Sequence, residues 1–552
     1  MKKLIALLLA LLMLTALFAG CAGDSDTSTP PATSTPPANS QPPASNGDDD
    51  DTETPVNSMP LTDTPVEFTA WWPYGSAGGL IAGFEENTIF IEMAKRSNVS
   101  FKFQSPASGT QSESINLMMA SQEYTDMIGD FARYYTRGHD AAIADEIIVP
   151  LQDYLPVMPN LNALREGNEG VYKTSTTDGG NLAAIPFVKM SSDGKNEGAW
   201  IGMVIRQDWL DTLGMAAPKT YAQMEEVLAA MQQTFPNAKN PMFIPSTGFS
   251  YAGAGMQGSF NVINDFFQID GVVKYGFLEP SMKDYLALVA DWYNKGFVSP
   301  EFYVAPSSGY SRPWADTGVV ARGEQGVFDM IYTHTPTFVA ATTDESFAIT
   351  GLAPLVKNEG DKVHFRQFTP YCDMSGAIST DCDDVELMCK YWDYFFSEEG
   401  LLLANYGVEG VTFEYDANGE PKWIGELLPG AEGYNLSNMQ YKHLLYNQPG
   451  LVWFDRERQV LDTQALAMTE VWDTAGYDYN YTPAATMTAE EGTEHANIMG
   501  DIDTLISETV VKFISGQRPM DEYESFVEQI KSMGIERAVE IKQAALDRYN
   551  AR

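Results

Sequence analysis

Cysteine, histidine and basic residues are scarce in this sequence. Four cysteines and five histidines occur among 552 residues, and 34 lysines and arginines stand against 75 aspartates and glutamates, for a formal net charge of −41. With so few cysteines, and no CxxC pair, the chain is neither a disulfide scaffold nor the carrier of a CxxC metal site. A surface this acidic repels phosphate backbones, so we expect no nucleic-acid partner.

The cysteines themselves predict little disulfide chemistry. Three of them, Cys372, Cys382 and Cys389, follow the first, Cys21, so at most one bridge can form among those three. Cys382 and Cys389 lie seven residues apart, which in a helix places them on one face two turns apart. This spacing favours buried thiols over a bridge.

Long apolar runs are also absent, except at the N-terminus. Basic residues open the chain, and the apolar run over residues 4–18 is about fifteen residues long, too short for a membrane span of roughly twenty. Residues 1–20 are therefore predicted to be a signal peptide. The sequence Ala19-Gly20-Cys21 resembles the lipobox of bacterial lipoproteins, although Phe18 replaces its usual leucine. The resemblance implies lipidation of Cys21, and the alternative is an ordinary cleaved signal with a spare thiol.

The segment over residues 21–60 cannot form a packed core. It is rich in Ser, Thr, Pro, Asn and Asp, so it buries too little apolar area to fold. As a flexible chain it would span an r.m.s. distance of roughly 35 Å. We predict a lipidated, disordered tether that holds the rest of the chain outside the cytoplasm, close to a membrane.

Beyond residue 65, strand and helix patterns alternate. VEFTAWW and VSFKFQS are typical of strands, residues 85–97 and 112–121 of helices, and TDMIGDF of a third strand. Alternation of this kind predicts α/β lobes with largely parallel sheets. Further along, Thr220 and Gln223 form a capping box for a helix, Asp208 is predicted to cap another, and Trp209 is assigned to the core.

Aromatic residues are abundant, at 12% of the chain. Two aromatic clusters, WWPY at residues 71–74 and DFARYY at residues 130–135, follow predicted strands. Ligands of α/β sheets bind beyond the carboxyl ends of strands. Flat rings at these ends suit amphipathic ligands such as sugars, whose C–H faces stack on aromatic side chains.

Four segments resemble a known family. They are RQDWLDTLGMAAPKTYAQMEEVL, LVADWYNKGFVSPEFY, YWDYFFSEEGLLLANYGVEGVTFEYDANGEPKW and FISGQRPMDEYESFVEQIKSMGIERAVEIKQAALDRY. Together with the lipobox they resemble the family 1 extracellular solute-binding lipoproteins of Gram-positive bacteria, the receptors of carbohydrate ABC transporters. The resemblance implies a two-lobed, periplasmic-binding-protein-like (Venus flytrap) α/β fold with hinge-connected lobes that are discontinuous in sequence.

We place the crossings between lobes near residues 185–188 and 328–333. The predicted organisation is lobe 1 (61–187), lobe 2 (188–330), a return to lobe 1 (331–380), and a return to lobe 2 with C-terminal helices (381–552).

Relatives in this family often carry a calcium loop, which here reads TFPNAKNPMFIP and lacks carboxylates. We therefore expect no metal there, and no cofactor.

Motifs for other chemistries are weak. GAGMQG, at residues 253–258, matches a dinucleotide-binding pattern but follows no convincing strand, so a flexible loop at the cleft is favoured. GFSYA, at residues 248–252, lacks the second glycine of a serine-hydrolase elbow. Glu398 and Glu399 lie at a predicted helix end, where carboxylates are usually solvated, so catalytic roles are not assigned to them.

The sequence thus predicts a membrane-tethered, extracellular binding protein that captures an oligosaccharide for an ABC permease. We expect it to be a non-enzymatic monomer. Trp453 and Trp472 could line the cleft or simply pack. The predicted ligand contacts are Trp71, Trp72, Tyr74, Asp130, Tyr134, Arg206, Phe249, Tyr251, Trp314, Asp329 and Tyr371.

Two functions of other classes remain open at this point. One is a surface-anchored glycoside hydrolase, since a suitable carboxyl pair among 75 acidic residues cannot be dismissed from sequence. The other is a ligand-binding lipoprotein that signals to a membrane sensor. Peptides remain open as the ligand, because the same cleft design serves them.

Overall fold

The structure is a computed structural model. The residues that it describes are 58–73, 81, 83–107, 109–135, 137–190, 201–244, 256–303, 316–324, 346–365, 372–427, 436–445, 447–459, 463–482 and 484–552. Cys21, the predicted signal peptide and nearly all of the predicted tether lie outside this set.

The strands alternate with helices along most of the chain. The strands are β1 (Val66–Trp71), β2 (Val99–Gln104), β3 (Met127–Gly129), β4 (Ile185–Met190), β5 (Ile201–Arg206), β6 (Met242–Phe243), β7 (Phe266–Ile269), β8 (Val272–Tyr275), β9 (Val319–Glu324), β10 (Ile349–Leu352), β11 (Cys372–Ile378), β12 (Phe413–Tyr415), β13 (Pro421–Trp423) and β14 (Gly450–Trp453).

The helices include long C-terminal elements, one of which begins where Tyr523, Phe526, Val527, Ile530 and Met533 recur at helical spacing. The helices are α1 (Thr88–Ser97), α2 (Gln111–Ser121), α3 (Phe131–Tyr134), α4 (His139–Ala144), α5 (Pro159–Gly167), α6 (Glu169–Ser175), α7 (Gln207–Leu213), α8 (Tyr221–Thr234), α9 (Pro280–Asn294), α10 (Val385–Asp393), α11 (Glu398–Tyr406), α12 (Leu436–His443), α13 (Asp455–Arg458), α14 (Thr463–Trp472), α15 (Ala489–Ile514), α16 (Tyr523–Ser532) and α17 (Ile535–Ala551).

Local sequence signals explain several helix ends. The predicted capping box of α8 is present, with the Thr220 hydroxyl accepting from the Gln223 backbone N–H and the Gln223 side chain returning to the Thr220 backbone N–H. The predicted cap of α7 is wrong: its N-cap is Arg206 and carries no side-chain capping bond, while Asp208 lies within the helix.

The first sheet has the strand order β14-β4-β11-β3-β1-β2. β1 is parallel to β2 and β3, and β14 is parallel to β4. β11 lies between β4 and β3 and is antiparallel to both. Five strands therefore run one way and β11 runs the other, so the start of β11 meets the carboxyl ends of its neighbours.

The second sheet has the strand order β10-β5-β9-β6. β5 is antiparallel to β9 and β10, with Ile201 opposite Glu324 and Arg206 opposite Ile349, and β6 is parallel to β9. Two hairpins, β7–β8 and β12–β13, complete the described strands.

Each sheet has its own hydrophobic core. The first lobe comprises the described residues of 58–190 and 372–459, whose core surrounds Trp392 and Val188. The second lobe comprises those of 201–365 and 463–552, and helices α15–α17 pack into its core. The two-lobed α/β fold class, discontinuous in sequence, is confirmed. The chain changes lobe between Met190 and Ile201, between Phe365 and Cys372, and between Gln459 and Thr463.

Two predicted lobe boundaries differ from this arrangement. β10 lies within the segment assigned to the first lobe, yet it pairs with β5 of the second sheet. Residues 381–459 were assigned to the second lobe, yet α10, α11 and β14 pack on the first sheet. The cause is a third passage between lobes, for which residues 460–462 give no distinctive signal in the sequence.

The cysteine prediction is confirmed, since Cys372, Cys382 and Cys389 are free and buried. Burial raises the pKa of the Cys382 thiol to about 12. Among the described residues, no helix combines the length and the apolar character that crossing a bilayer requires.

Candidate functional site

The carboxyl ends of the first sheet form the candidate site. β1, β3, β4 and β14 end at the same edge, where antiparallel β11 begins. With strands about 4.8 Å apart, the ends of β3 and β14 lie roughly 14 Å from each other, so this edge accommodates an extended ligand. We call the strand-end site the side chains of Asp130, Arg133, Tyr134, Asp373, Trp453 and Phe454.

Asp130 follows β3 directly and is held in a left-handed backbone conformation, with φ of 49°. Its backbone N–H donates to the Ser375 carbonyl oxygen of β11 over 2.8 Å, which anchors the turn. Burial raises the pKa of the Asp130 carboxyl to about 6; the charge of Asp373 adds to this shift and that of Arg133 opposes it. The carboxyl therefore lies in a poorly solvated place, near a second carboxyl and a guanidinium.

Asp373 lies at the start of β11, on the same edge. Its side chain is exposed to solvent, yet the protein around it raises the pKa of its carboxyl, with the Met374 N–H and the Arg133 charge opposing the shift. The surrounding protein therefore limits the hydration of this carboxyl even though the residue is exposed. Asp130 and Asp373 thus present two carboxyls as acceptors for the hydroxyl groups of a ligand.

Tyr134 supplies a ring near the Asp130 carboxyl. It is half-buried, and the Trp71 ring meets it edge-on with centroids 5.6 Å apart. Trp71 is only 2% exposed, and its indole N–H donates to the Ser114 hydroxyl over 2.9 Å. The Arg133 guanidinium lies 5.8 Å from the Tyr134 ring centroid. Trp71 therefore positions Tyr134 from behind, and Tyr134 offers the accessible ring.

Two further aromatic side chains lie at the end of β14, on the same edge of the first sheet. Trp453 ends β14 and Phe454 follows it, and both are half-buried. The Asn405 side-chain oxygen accepts from the Trp453 backbone N–H over 2.6 Å, and the Phe454 N–H donates to the Met190 carbonyl. The Lys189 ammonium lies 4.5 Å from the Phe454 ring centroid. Trp453 both packs on the first core and reaches this edge.

Trp72 and Trp472 lie in cores. Trp72 is 1% exposed and packs against Gly129 and, at 6.4 Å between centroids, Trp392. Trp472 packs on Gly202 of β5 and donates its indole N–H to the Met203 carbonyl. In this conformation neither ring is available to a ligand.

The structure assigns Arg206 to a buried ion pair rather than to the strand-end site. Its guanidinium pairs with Asp208 and lies over the rings of Trp209 and Phe347. Because the chain enters β5 from the first lobe at Ile201, Arg206 ends up at the opposite edge of the second sheet. Trp209, predicted to be core, is 6% exposed, in agreement.

Six predicted ligand contacts and the lipidation site lie outside the described residues. They are Tyr74, Phe249, Tyr251, Trp314, Asp329, Tyr371 and Cys21.

Sequence reasoning missed Asp373, Arg133 and Phe454. Arg133 lay within the quoted DFARYY motif, so its position between Asp130 and Tyr134 could have indicated it. Asp373 carried no such signal, because only the antiparallel insertion of β11 brings its N-terminal end to the carboxyl ends of the other strands.

An ion cluster joins the two lobes away from this edge. Asp178 of the first lobe accepts from the Arg548 Nε of α17 over 2.7 Å and from the Arg552 Nε over 3.2 Å. Arg548 also pairs with Glu491 of α15 at 2.5 Å. The Lys173 ammonium donates to the Asn550 carbonyl oxygen. These contacts attach the last turn of α17 to the first lobe.

Among the described residues, no cluster of three or more His, Cys, Asp or Glu side chains could hold a metal ion. The two carboxyls of the strand-end site, a guanidinium and several rings are groups that bind a polyhydroxylated ligand through hydrogen bonds and stacking.

Known proteins resemble this chain at low sequence identity. No family model matches it. The fructooligosaccharide ABC transporter substrate-binding protein FusA of Streptococcus pneumoniae is 21% identical over 447 residues, which cover 73% of this chain and 77% of FusA. Lipoprotein LipO of Bacillus subtilis is 21% identical over 459 residues, covering 76% and 81%.

Solved structures agree with this likeness. An extracellular solute-binding protein from Bifidobacterium longum subsp. infantis matches with a TM-score of 0.69 and 15% identity, covering 88% of this chain and 98% of that one. FusA in complex with kestose matches with a TM-score of 0.68 and 19% identity, covering 88% and 100%. The chain therefore has the two-lobed α/β fold of the extracellular solute-binding proteins of ABC transporters, as its sequence motifs implied.

Proposed function

We propose that this protein captures an oligosaccharide between its lobes and delivers it to an ABC permease, without acting as an enzyme. The observation that carries the proposal is the strand-end site, where the Tyr134 ring lies near the Asp130 carboxyl and the Asp373 carboxyl lies near that of Asp130. Sugars bind through ring stacking and through hydroxyl groups that donate to carboxylates. FusA, which resembles the chain in sequence and in fold, binds fructooligosaccharides according to its name.

The ligand contacts that we propose in the first lobe are Asp130, Tyr134 and Asp373, with Trp71 as the support of Tyr134 and with Trp453 and Phe454 further along the edge. Tyr74, Phe249, Tyr251, Trp314, Asp329 and Tyr371, which lie outside the described residues, remain proposed contacts. The permease, the monomeric state and closure about the hinge are parts of the same proposal.

The anchor is a separate part of the proposal. Lipidated Cys21 would hold the protein on the outer face of the cell membrane, since each buried acyl CH₂ contributes about 0.8 kcal/mol. The Cys21→Ser variant should leave the membrane fraction for the medium. A variant that stays membrane-bound would contradict the anchor without touching the binding proposal.

A thermal-shift screen of the full-length protein against oligosaccharide and peptide libraries tests the binding proposal. At a hundred times its dissociation constant, a ligand adds about 2.7 kcal/mol to the free energy of unfolding. We expect at least one oligosaccharide to raise the melting temperature, and Tyr134→Ala to abolish this rise. Tyr415→Ala is the matched control, because Tyr415 is an exposed ring on the β12–β13 hairpin of the same lobe.

The alternatives give different results in the same screen. If only the peptide pool raises the melting temperature, the carbohydrate proposal fails. The raised pKa of Asp130 would also suit the general acid of a glycoside hydrolase. Chromatography of the bound sugar after prolonged incubation separates the two, because a binding protein returns its ligand intact and a hydrolase releases new reducing ends.

A further inference from the structure

A second cavity, distinct from the strand-end site, lies within the second lobe. Its volume is about 460 Å³, and the described residues that line it all belong to the second lobe. It lies between residues around the β7–β8 hairpin, α9 and α15. One lining side chain, Tyr303, is 53% exposed, so the cavity reaches the surface. This volume falls within the range of small-molecule pockets.

Several buried polar atoms at this cavity have no hydrogen-bond partner within the described part of the chain. They are the Tyr285 hydroxyl, both polar atoms of the Gln257 carboxamide, the Asn264 Oδ1 and the His495 Nε2. Tyr285 is completely buried and Gln257 is 3% exposed. Native proteins leave few such groups unpaired, so a cluster of them around one space calls for an occupant.

The backbone holds Gln257 in place. Gly258 has a φ of 33°, and a Cβ added there would lie 1.7 Å from the Leu355 carbonyl oxygen. This close approach requires glycine and fixes the preceding side chain at the cavity wall. Residues 256–258 of the GAGMQG motif therefore pack within the second lobe, whereas the sequence predicted a flexible loop at the cleft. Residues 253–255 of the motif lie outside the described set.

The charged groups at the cavity are of both signs. Although Asp265 and Asp503 are exposed residues, loss of hydration beside the surrounding protein raises the pKa of their carboxyls, and it lowers that of the Lys542 ammonium. Burial also lowers the pKa of His495 to about 4, so this imidazole is neutral at pH 7. Because carboxylates and an ammonium lie there together, neither an anion nor a cation meets a wall of only opposite charge, and either one would lose hydration on entry.

The remaining wall is mainly apolar. Phe266, Phe277, Met282, Leu286 and Val510 line it, and their side chains would cover a ring or a short alkyl chain. A free sugar is a poor fit, since most of its hydroxyl groups would face carbon. The neutral donors and acceptors of Gln257 and Tyr285 suit one hydroxyl or carboxamide group on an otherwise apolar molecule.

We propose that this cavity is a second ligand site, independent of the oligosaccharide site, for a small uncharged molecule with an apolar body and one hydroxyl or carboxamide group. The Tyr285 hydroxyl and the Gln257 carboxamide bind the polar group, and the apolar wall holds the body.

Ligand-observed saturation-transfer NMR with the full-length protein tests the chemical class. The probes are benzyl alcohol and benzamide as neutral amphipathic molecules, benzoate as an anion, benzylammonium as a cation, and toluene. We expect the two neutral amphipathic probes to bind at least tenfold more tightly than the other three. Equal binding of benzoate or benzylammonium would overturn the uncharged class, and no binding of any probe would overturn the site.

Two tyrosine variants locate the binding. Tyr285→Phe removes a hydroxyl without a partner, so it should weaken benzamide binding at least tenfold and leave the melting temperature unchanged or raised. Tyr221→Phe is the control, because the Tyr221 hydroxyl donates to the Met256 carbonyl oxygen over 2.9 Å. That variant should lower the melting temperature and keep benzamide binding.

The opposite pattern overturns the proposal. If Tyr285→Phe lowers the melting temperature as Tyr221→Phe does and leaves benzamide binding unchanged, the hydroxyl has a structural role, bonded to ordered water. A crystal structure in benzamide that shows only water in the cavity would lead to the same conclusion. Neither result bears on oligosaccharide binding, which is read from Tyr134→Ala.

Discussion

At the scale of single residues, Asp130 couples the site to pH. Its carboxyl is held in a left-handed turn beside Asp373, in surroundings that disfavour ionisation. In the proposed site, this residue would contribute to ligand binding at the expense of stability, because a folded protein tolerates a poorly solvated carboxylate only when other contacts fix it there. Its removal should therefore affect stability and binding in opposite directions.

We expect Asp130→Asn to be more stable than the wild type at pH 7. The folded pKa of Asp130, about 6, lies above its ordinary value of 3.8. The stabilisation from its protonated form is present below pH 3.8 and is lost as the pH rises through 6. Asparagine has no such loss. Melting temperatures at pH 4 and pH 7 measure the effect, and oligosaccharide affinity should fall about tenfold with the lost charged acceptor.

Asp416→Asn is the matched control, because the pKa of Asp416 is shifted in the opposite direction. The Asp416 carboxylate accepts from the Asn418 and Glu420 backbone N–H groups at 2.8 and 3.0 Å, and these bonds lower its pKa. Its stabilisation is present at pH 7 and is lost as the pH falls through the lowered pKa. This variant should lower the melting temperature at pH 7 and bind oligosaccharide normally. A wild-type pH profile in Asp130→Asn would show that Asp130 does not titrate as described.

At the scale of elements, the end of α17 joins the lobes. Asp178, in the loop after α6, receives hydrogen bonds from Arg548 and Arg552. The Asp178 side chain is 15% exposed and that of Arg552 is 4% exposed. Removing one partner of such a cluster leaves buried charges without compensation.

Asp178→Ala should reduce the free energy of unfolding by about 3 kcal/mol. The last turn of α17 should then exchange its amide hydrogens faster, as hydrogen-exchange mass spectrometry would show. Glu399→Gln is the control: it breaks the exposed pair with Arg96, in which the Glu399 side chain is 68% exposed, and should cost less than about 1 kcal/mol. Equal effects of the two variants would mean that Asp178 does not hold α17.

Elements with local signals were predictable from the sequence, whereas strand direction was not. The capping box of α8, the strand VEFTAW and the stripe of α16 follow from neighbouring residues. The roles of Arg206 and Asp373 depend on which end of each strand faces the lobe boundary. That is set by the passage between lobes and by the antiparallel β11, neither of which leaves a local pattern.

Burial was hard to predict for the same reason. Trp71 and Trp72 belong to one aromatic motif at a strand end, but the alternation of side chains along the strand places them on opposite faces of the first sheet. Trp72 enters the core with Trp392, while Trp71 packs behind Tyr134. The sequence predicted that these aromatic motifs lie at strand ends, and the structure shows which of their rings is accessible there.

At the scale of the whole molecule, each lobe presents strand ends at the boundary between the lobes. The first lobe presents carboxyls and rings at the carboxyl ends of its strands, and the second lobe supplies β6 and β9, which lead toward the same boundary. Counted from the described segments alone, the chain passes between the lobes at three places. In the proposed mechanism, a ligand that contacts both lobes stabilises the closed form in proportion to its extra contacts there.

A crystal structure of the full-length protein with the oligosaccharide that raises its melting temperature most tests the central claim directly. We predict a sugar ring within about 4 Å of the Tyr134 ring, hydroxyl groups donating to Asp130 or Asp373, and contacts from both lobes to one intact ligand. A sugar bound away from the strand ends of the first sheet, or held by one lobe alone, would contradict this account.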